Sequence, residues 1–207
     1  MGDRGGAGSG GTSRGRRRWR FLAAAAGCLL GPAGLAEDAL HVSLQAGLQV
    51  PAAPDLKRTA GTGASPNLGA MLAWGSREDF ALRLRVDATR FREARQEVDA
   101  PGLRQVITTR VRCESIGLEQ LDYEGRWSFG AGLYAVRWTV ESANRLESAG
   151  DVFEPRSTTR WTRLGLGLMV GRQWSKHGDV ELRFMSSHYG QENQPTNLVS
   201  LNLVWTF

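Results

Sequence analysis

Ser186 and His188 are the residues of this chain best placed to act together chemically. They stand two residues apart at the end of a segment of alternating apolar residues, so on a β-strand their side chains would share one face. A serine beside an imidazole becomes an activated nucleophile when a third group orients the ring, and Glu192 is the nearest carboxylate. The favoured interpretation is two interfacial polar side chains at a strand end, and nucleophilic catalysis by the serine is the alternative.

The end of the chain resembles the outer-membrane lipid A deacylases, small barrels with a His-Ser-Glu site on the lipid-facing side. The resemblance rests on Ser-Ser-His-Tyr at 186–189 and on the Pro-Asn-containing segment Gln-Pro-Thr-Asn at 194–197. It implies lipid A as substrate and ester hydrolysis as the reaction. The serine and histidine stand in reverse order and no acidic residue follows Glu192, which favours a protein without catalytic activity. No metal-ligand spacing or nucleotide fingerprint is present in the sequence, so neither a metal nor a cofactor is expected.

The last segment predicts the kind of element that carries such residues. Apolar side chains fall at positions 199, 201, 203, 205 and 207, which indicates a strand with one apolar face. In a soluble sheet such an aromatic-tipped edge would invite aggregation. A strand that ends in Phe207 resembles the closing strand of bacterial outer-membrane β-barrels. That resemblance implies the outer membrane of a Gram-negative bacterium and the barrel-assembly machinery as a partner.

Seven earlier segments are also predicted to be strands, beginning near residues 40, 68, 80, 105, 127, 164 and 180, and all but the fourth alternate regularly. The fold class is therefore predicted as all-β, an eight-stranded antiparallel up-and-down transmembrane β-barrel. Short and long connections alternate along the chain, as periplasmic turns and external loops do. The short ones lie at 75–79, 122–126 and 175–178, and the long ones at 51–66, 92–104, 141–158 and 190–196.

The fourth segment is irregular, because its apolar residues change parity between Cys113 and Ile116. Either a β-bulge near Ser115 or the absence of a regular strand would explain the change.

Two sets of side chains have predicted places in this barrel. Mixed charges on the polar face of the third and seventh strands would pack in the narrow lumen as a paired network, with an ion-conducting, porin-like path as the alternative. These residues are Arg83, Arg85, Asp87, Asp179, Glu181 and Arg183. Aromatic residues beside the short turns and at the chain end would form an interfacial girdle. They are Trp74, Phe80, Trp127, Trp174, Trp205 and Phe207.

A soluble eight-stranded barrel would reverse the two faces of every strand. The charges and glycines on one face, against leucine, valine, alanine and aromatic residues on the other, favour lipid outside.

Residues 1–36 are predicted to be a cleaved secretory signal peptide, and residues 37–207 the barrel. A basic region at 16–20 precedes an apolar run at 21–35 that ends in small residues. Six arginines and one aspartate give this segment a net charge of +5, which equals that of the whole chain, with 26 basic and 21 acidic residues. The remaining residues are therefore balanced in charge, and a nucleic-acid partner is not expected.

Removal of Cys28 with the signal peptide leaves Cys113 alone, so no intrachain disulfide is expected.

The predicted function follows from the barrel architecture. We expect a monomer in contact with outer-membrane lipid and lipopolysaccharide. Its role would be structural or a surface interaction through the external loops.

Overall fold

A computed structural model describes residues 40–75, 80–148, 151–189 and 194–207, so the predicted signal peptide lies outside the described residues. Ten strands and one helix are present in these ranges. The strands are β1 (Leu40–Pro51), β2 (Ser65–Gly75), β3 (Phe80–Arg90), β4 (Ala94–Ala100), β5 (Leu103–Glu124), β6 (Trp127–Ser148), β7 (Asp151–Phe153), β8 (Arg156–Gln173), β9 (Gly178–Tyr189) and β10 (Gln194–Thr206). The helix α1 (Pro54–Ala60) follows β1. No helix in the described part of the chain is long and apolar enough to cross a membrane.

Eight of these strands close into an antiparallel ring. Their order is β1, β2, β3, β5, β6, β8, β9 and β10, and β10 returns to β1 from Ser43 opposite Thr206 to Pro51 opposite Leu198. A closed ring leaves no unpaired edge at membrane depth, because every strand has two hydrogen-bonded neighbours. The predicted eight-stranded up-and-down barrel is confirmed.

The other two strands extend the wall on the side of the long connections. β4 pairs with residues 103–109 of β5, and β7 pairs with residues 146–148 of β6. We call β4, β7 and the adjoining residues 103–109 and 142–148 the external sheet. Most of the connections predicted at 92–104 and 141–158 are therefore strand, because hairpin pairing satisfies their backbone groups.

β5 explains the parity change near Ser115. Its pairing with β6 keeps one register from Leu103 opposite Ser148 to Glu124 opposite Trp127, so the predicted bulge was wrong, and so was the alternative of no regular strand. Cys113 points inward and is buried, whereas Ile116 points outward and is 49% exposed. Apolar residues occupy both faces because the barrel interior is apolar near the external end and polar at mid-depth.

The apolar face of the barrel is its outer surface. Many large outward side chains are more than half exposed: Leu44, Leu48, Leu68, Leu133, Leu164, Leu166, Leu168, Leu201 and Leu203. A continuous apolar belt of this size would be unfavourable in water and is what the hydrocarbon core of a bilayer requires. The protein is therefore a transmembrane β-barrel of the outer-membrane type. In such barrels the short turns lie on the periplasmic side, and the two ends of this barrel are named on that basis.

Helix α1 and aromatic side chains close the external end of the lumen. Pro54 starts the helix, where a missing N–H costs nothing, and Gly61 ends it with a φ of 77°. Leu56 is fully buried and belongs to an apolar cluster in which Phe91 stacks on Trp138 at 6.3 Å. We call this cluster the apolar plug; its further members are Val111, Cys113, Val136, Met185 and Leu198.

Candidate functional site

Below the apolar plug the lumen holds a balanced group of charges. We call it the lumen network; its members are Arg83, Arg85, Arg183, Asp87, Glu119 and Glu181. Arg83 Nε donates to Glu119 Oε2 at 2.5 Å, and Arg85 Nε lies 2.9 Å from Glu119 Oε1. Both arginines also form ion pairs with Glu181. Two guanidinium groups and two carboxylates thus compensate each other within a buried layer.

A fifth ion pair joins this layer to the apolar plug. Arg183 Nη1 lies 2.6 Å from Asp87 Oδ2, and the Arg183 guanidinium carbon lies 5.5 Å from the centre of the Tyr134 ring. The Tyr134 hydroxyl donates a hydrogen bond to Glu119. Tyr134 therefore connects the Arg183–Asp87 pair with the layer below it. Its ring lies against Arg183, and its hydroxyl binds Glu119.

Amides and a hydroxyl on the neighbouring strands add further hydrogen bonds. Asn67 Nδ2 donates to Gln49 Oε1 at 3.1 Å and to Thr89 Oγ1 at 2.8 Å, and Gln45 Nε2 donates to Asn67 Oδ1 at 2.9 Å. Arg85 donates to the side-chain carbonyl oxygen of Gln45. These buried side chains occupy the middle of the lumen, as expected for a narrow eight-stranded barrel. The ion-conducting path stays a prediction.

Two glycines make room for the central tyrosine. A Cβ atom built on Gly117 would overlap Cδ1 of Tyr134, and one on Gly167 would overlap its Cε2. Any larger residue at either position must move the ring away from Glu119.

The predicted lumen residues are found inside the barrel. Asp179 is half-buried nearer the periplasmic mouth, where it lines a cavity of about 30 Å³ with His41, Ser43 and Thr206. Glu119 and Tyr134 were missed by the sequence interpretation. A continuous register through β5 would have revealed Glu119, because it shares the inward parity of Cys113.

The predicted girdle residues lie at the periplasmic end of the wall. Trp74 is half-buried, and the others are between 46% and 69% exposed. They are Phe80, Trp127, Trp174, Trp205 and Phe207.

The predicted hydrolytic group is described only in part. Ser186 is half-buried on β9, opposite Leu166 of β8 and Asn197 of β10. The backbone of His188 pairs with β10, but its side chain and Glu192 lie outside the described residues. The hydrolase alternative therefore stays a prediction. Within the described ranges, no group of three or more histidine, cysteine or acidic residues could hold a metal ion.

Outward arginines lie one or two outward positions above the apolar belt on four neighbouring strands of the ring. We call them the arginine row: Arg90, Arg112, Arg137 and Arg160. Arg90 lies opposite Arg112, Thr139 separates Arg112 from Arg160, and Arg137 is one step lower on β6. One outward position below Arg90, Arg112 and Arg160 stand Ala88, Glu114 and Thr162, level with Arg137. The belt begins at the next outward level, with Val86, Ile116, Ala135 and Leu164.

Two carboxylates accompany the row. Arg112 Nη2 lies 3.8 Å from Glu141 Oε1, and Glu114 stands opposite Arg137 in the β5–β6 pairing. In the part of the chain that the structure describes, Arg90, Arg137 and Arg160 form no ion pair. Four cations against two anions leave this rim with an excess of two positive charges.

Comparison with known proteins finds structural likeness only. No family model and no curated protein matches the chain. Ail, the attachment invasion locus protein of Yersinia pestis, is 10% identical with a TM-score of 0.44, over 81% of this chain and 97% of that chain. Neisserial surface protein A is 15% identical with a TM-score of 0.42, again over 81% and 97%. A major outer membrane protein from Thermus thermophilus is 10% identical with a TM-score of 0.48, over 82% of this chain and 100% of that chain. Identities this low concern the fold and not the activity.

Proposed function

We propose that this barrel binds lipopolysaccharide at its external rim through the arginine row, and that it presents the external sheet to partners outside the cell. The arginine row is the observation that carries the first part. Its position at the upper edge of the belt is the height at which lipid headgroups meet a barrel wall. Guanidinium groups bind phosphate oxygens in a bidentate, charge-assisted way, and the phosphates of lipid A lie at that height.

The geometry suits a ligand with more than one phosphate. Neighbouring strands are about 4.8 Å apart, so the row from Arg90 on β3 to Arg160 on β8 spans about 14 Å of the wall. The excess of positive charge lies at the membrane boundary, where the effective dielectric constant is lower than in bulk water, so contacts to phosphate are stronger there.

The test is a double substitution, Arg137→Gln with Arg160→Gln, in the purified barrel. We expect the apparent Kd for purified lipopolysaccharide to rise about tenfold, which corresponds to about 1.4 kcal/mol. Dephosphorylated lipid A should bind both proteins equally weakly. The matched control is Arg95→Gln with Arg145→Gln, which removes the same charge from the external sheet. Equal loss in the control, or no loss in the test protein, would contradict the proposal.

A second role is supported by the external sheet, which is amphipathic. Its outer face carries ion pairs such as Arg104 with Glu97, whereas its inner face exposes Val98 by 56%, Leu103 by 41% and Phe153 by 65%. The pairing of Val98 with Gln105 and of Phe153 with Leu146 places these side chains on the same face as the lumen. An exposed apolar face above a filled barrel is typical of an interaction surface.

Attachment of cells that express the protein to cultured epithelial cells tests this role. Val98→Asn with Phe153→Asn should lower attachment severalfold. Val152→Asn is the control, because Val152 is 56% exposed on the outer face of the same sheet. Unchanged attachment, or the same decrease for Val152→Asn, would count against an interaction through the inner face.

A further inference from the structure

A groove opens on the outer surface of the barrel at its periplasmic end. It has a volume of about 580 Å³ and lies on β8, β9 and β10 beside the β5–β6 turn. We call it the rim groove; the residues that define it are Arg126, Trp127, Arg172, Trp174, Leu182 and Leu201. The volume is in the range of sites that hold small molecules.

The two ends of the rim groove differ in chemistry. Leu182 and Leu201 are outward members of the belt, 47% and 53% exposed, so this part of the groove faces acyl chains. Arg126 and Arg172 lie at the turn end with Trp174, which is 60% exposed. The groove therefore crosses the boundary at which hydrocarbon gives way to headgroups.

The cationic part of the groove is partly ordered before a ligand arrives. The Arg172 guanidinium carbon lies 5.3 Å from the centre of the Trp127 ring, a cation–π contact that restricts where the guanidinium can point. Glu124 of β5 lies at the same level of the wall, but Trp127 of β6 stands between it and Arg172 of β8. Among the residues that the structure describes, neither Arg126 nor Arg172 has an ion-pair partner.

We propose that the rim groove binds one glycerophospholipid of the periplasmic leaflet. The phosphodiester would accept hydrogen bonds from Arg126 and Arg172, and an acyl chain would lie along Leu182 and Leu201. Two guanidinium groups over an apolar wall fit an amphiphile with one anionic phosphate. The inference rests on the proposed membrane function and assigns different lipids to the two ends of the wall: lipopolysaccharide to the arginine row, and phospholipid to the rim groove.

Native mass spectrometry of the detergent-solubilised barrel with added phosphatidylglycerol tests the site. Arg126→Gln with Arg172→Gln should raise the apparent Kd of the first bound phosphatidylglycerol about tenfold, while Arg126→Lys with Arg172→Lys should recover part of it. Arg95→Gln with Arg145→Gln is the control of equal charge. Lipopolysaccharide binding by the groove variant should stay unchanged.

The outcomes separate the two proposals. If the variant keeps its heat-modifiable gel mobility and binds phosphatidylglycerol as the parent does, the rim groove proposal is wrong while the barrel function stands. Equal losses in variant and control, or an equal loss of lipopolysaccharide binding, would also overturn the groove as a phospholipid site. If the parent protein itself never becomes heat-modifiable in lipid vesicles, the membrane function fails first.

Discussion

The barrel contains two sets of arginine–carboxylate pairs that differ in their surroundings. In the lumen, the side chains of Arg85 and Glu119 are both 0% exposed; in the external sheet, those of Arg104 and Glu97 are 51% and 36% exposed. A buried charge that loses its partner cannot be compensated by water, whereas an exposed one can. An arginine–carboxylate pair is therefore essential to the stability of the fold in the lumen, whereas the same pair in the external sheet contributes little to it.

Glu119→Gln should have the largest effect on the stability of the barrel. Glu119 faces both Arg83 and Arg85, so its neutralisation leaves the buried layer with an excess positive charge. We expect a loss of about 3–5 kcal/mol in the free energy of unfolding. Urea unfolding in lipid vesicles, followed by heat-modifiable gel mobility, measures it. Glu97→Gln in the external sheet is the control and should leave the midpoint unchanged. Equal midpoints for the two variants would refute the comparison.

Gly167→Val should have the next largest effect. The new side chain would occupy space held by the Tyr134 ring and push its hydroxyl away from Glu119. The expected cost is about 1–3 kcal/mol in the free energy of unfolding, measured in the same urea titration. Ala135→Val adds two methyl groups on the lipid-facing side of the wall and should be tolerated. A Gly167→Val barrel as stable as the parent would show that the lumen is not tightly packed around Tyr134.

Tyr134→Phe isolates the hydrogen bond from the packing. The ring stays beneath Arg183, and Glu119 keeps its two arginines, so a loss of only about 1 kcal/mol is expected. A double-mutant cycle with Glu119→Gln should give a nonzero coupling free energy. Additive effects would mean that the hydroxyl does not contribute to the lumen network.

The smallest expected effect concerns the pKa of the Glu97 carboxyl in the external sheet. Arg104 donates a hydrogen bond to Glu97 and holds the pKa of that carboxyl below its usual value of 4.5. Because the folded pKa is lowered, the stabilisation is complete above the unfolded pKa and is lost as the pH falls through the folded one. An NMR titration of the Glu97 carboxyl should show a midpoint below 4.5. Arg104→Gln should return the midpoint towards that value, and a midpoint at or above it in the parent would disprove the pairing.

The eight strands of the ring could be predicted from the sequence, because contact with lipid requires an apolar residue at every second position. In β8, Leu164, Leu166 and Leu168 alternate with Gly165 and Gly167 and reveal both the strand and its outer face. The external sheet lacks this signal: its strands stand outside the lipid, so charged residues such as those at 95, 97 and 99 can occupy β4. Helix α1, inside the connection predicted at 51–66, was likewise not predicted.

Glu119 shows how the candidate site was incompletely predicted. Val111 and Cys113 of β5 face the plug above Ser115, whereas Ile116 and Leu118 face the lipid just below it, so hydrophobicity alone suggested a register change that does not occur. The unbroken pairing with β6 keeps Glu119 on the inward parity of Cys113, and the Tyr134 hydroxyl donates a hydrogen bond to it there.

The orientation of the two strand faces is the central claim, and spin labels on β8 test it most directly. In a Cys113→Ala protein reconstituted in lipid, single cysteines at Leu166, Leu168 and Met169 would each carry a nitroxide. Leu166 and Leu168 are 65% and 62% exposed on the belt, whereas Met169 is 6% exposed in the lumen. We predict high collision rates with lipid-dissolved oxygen at 166 and 168 and a low rate at 169. The reverse order, or equal rates at all three positions, would contradict a barrel with lipid outside and charges within.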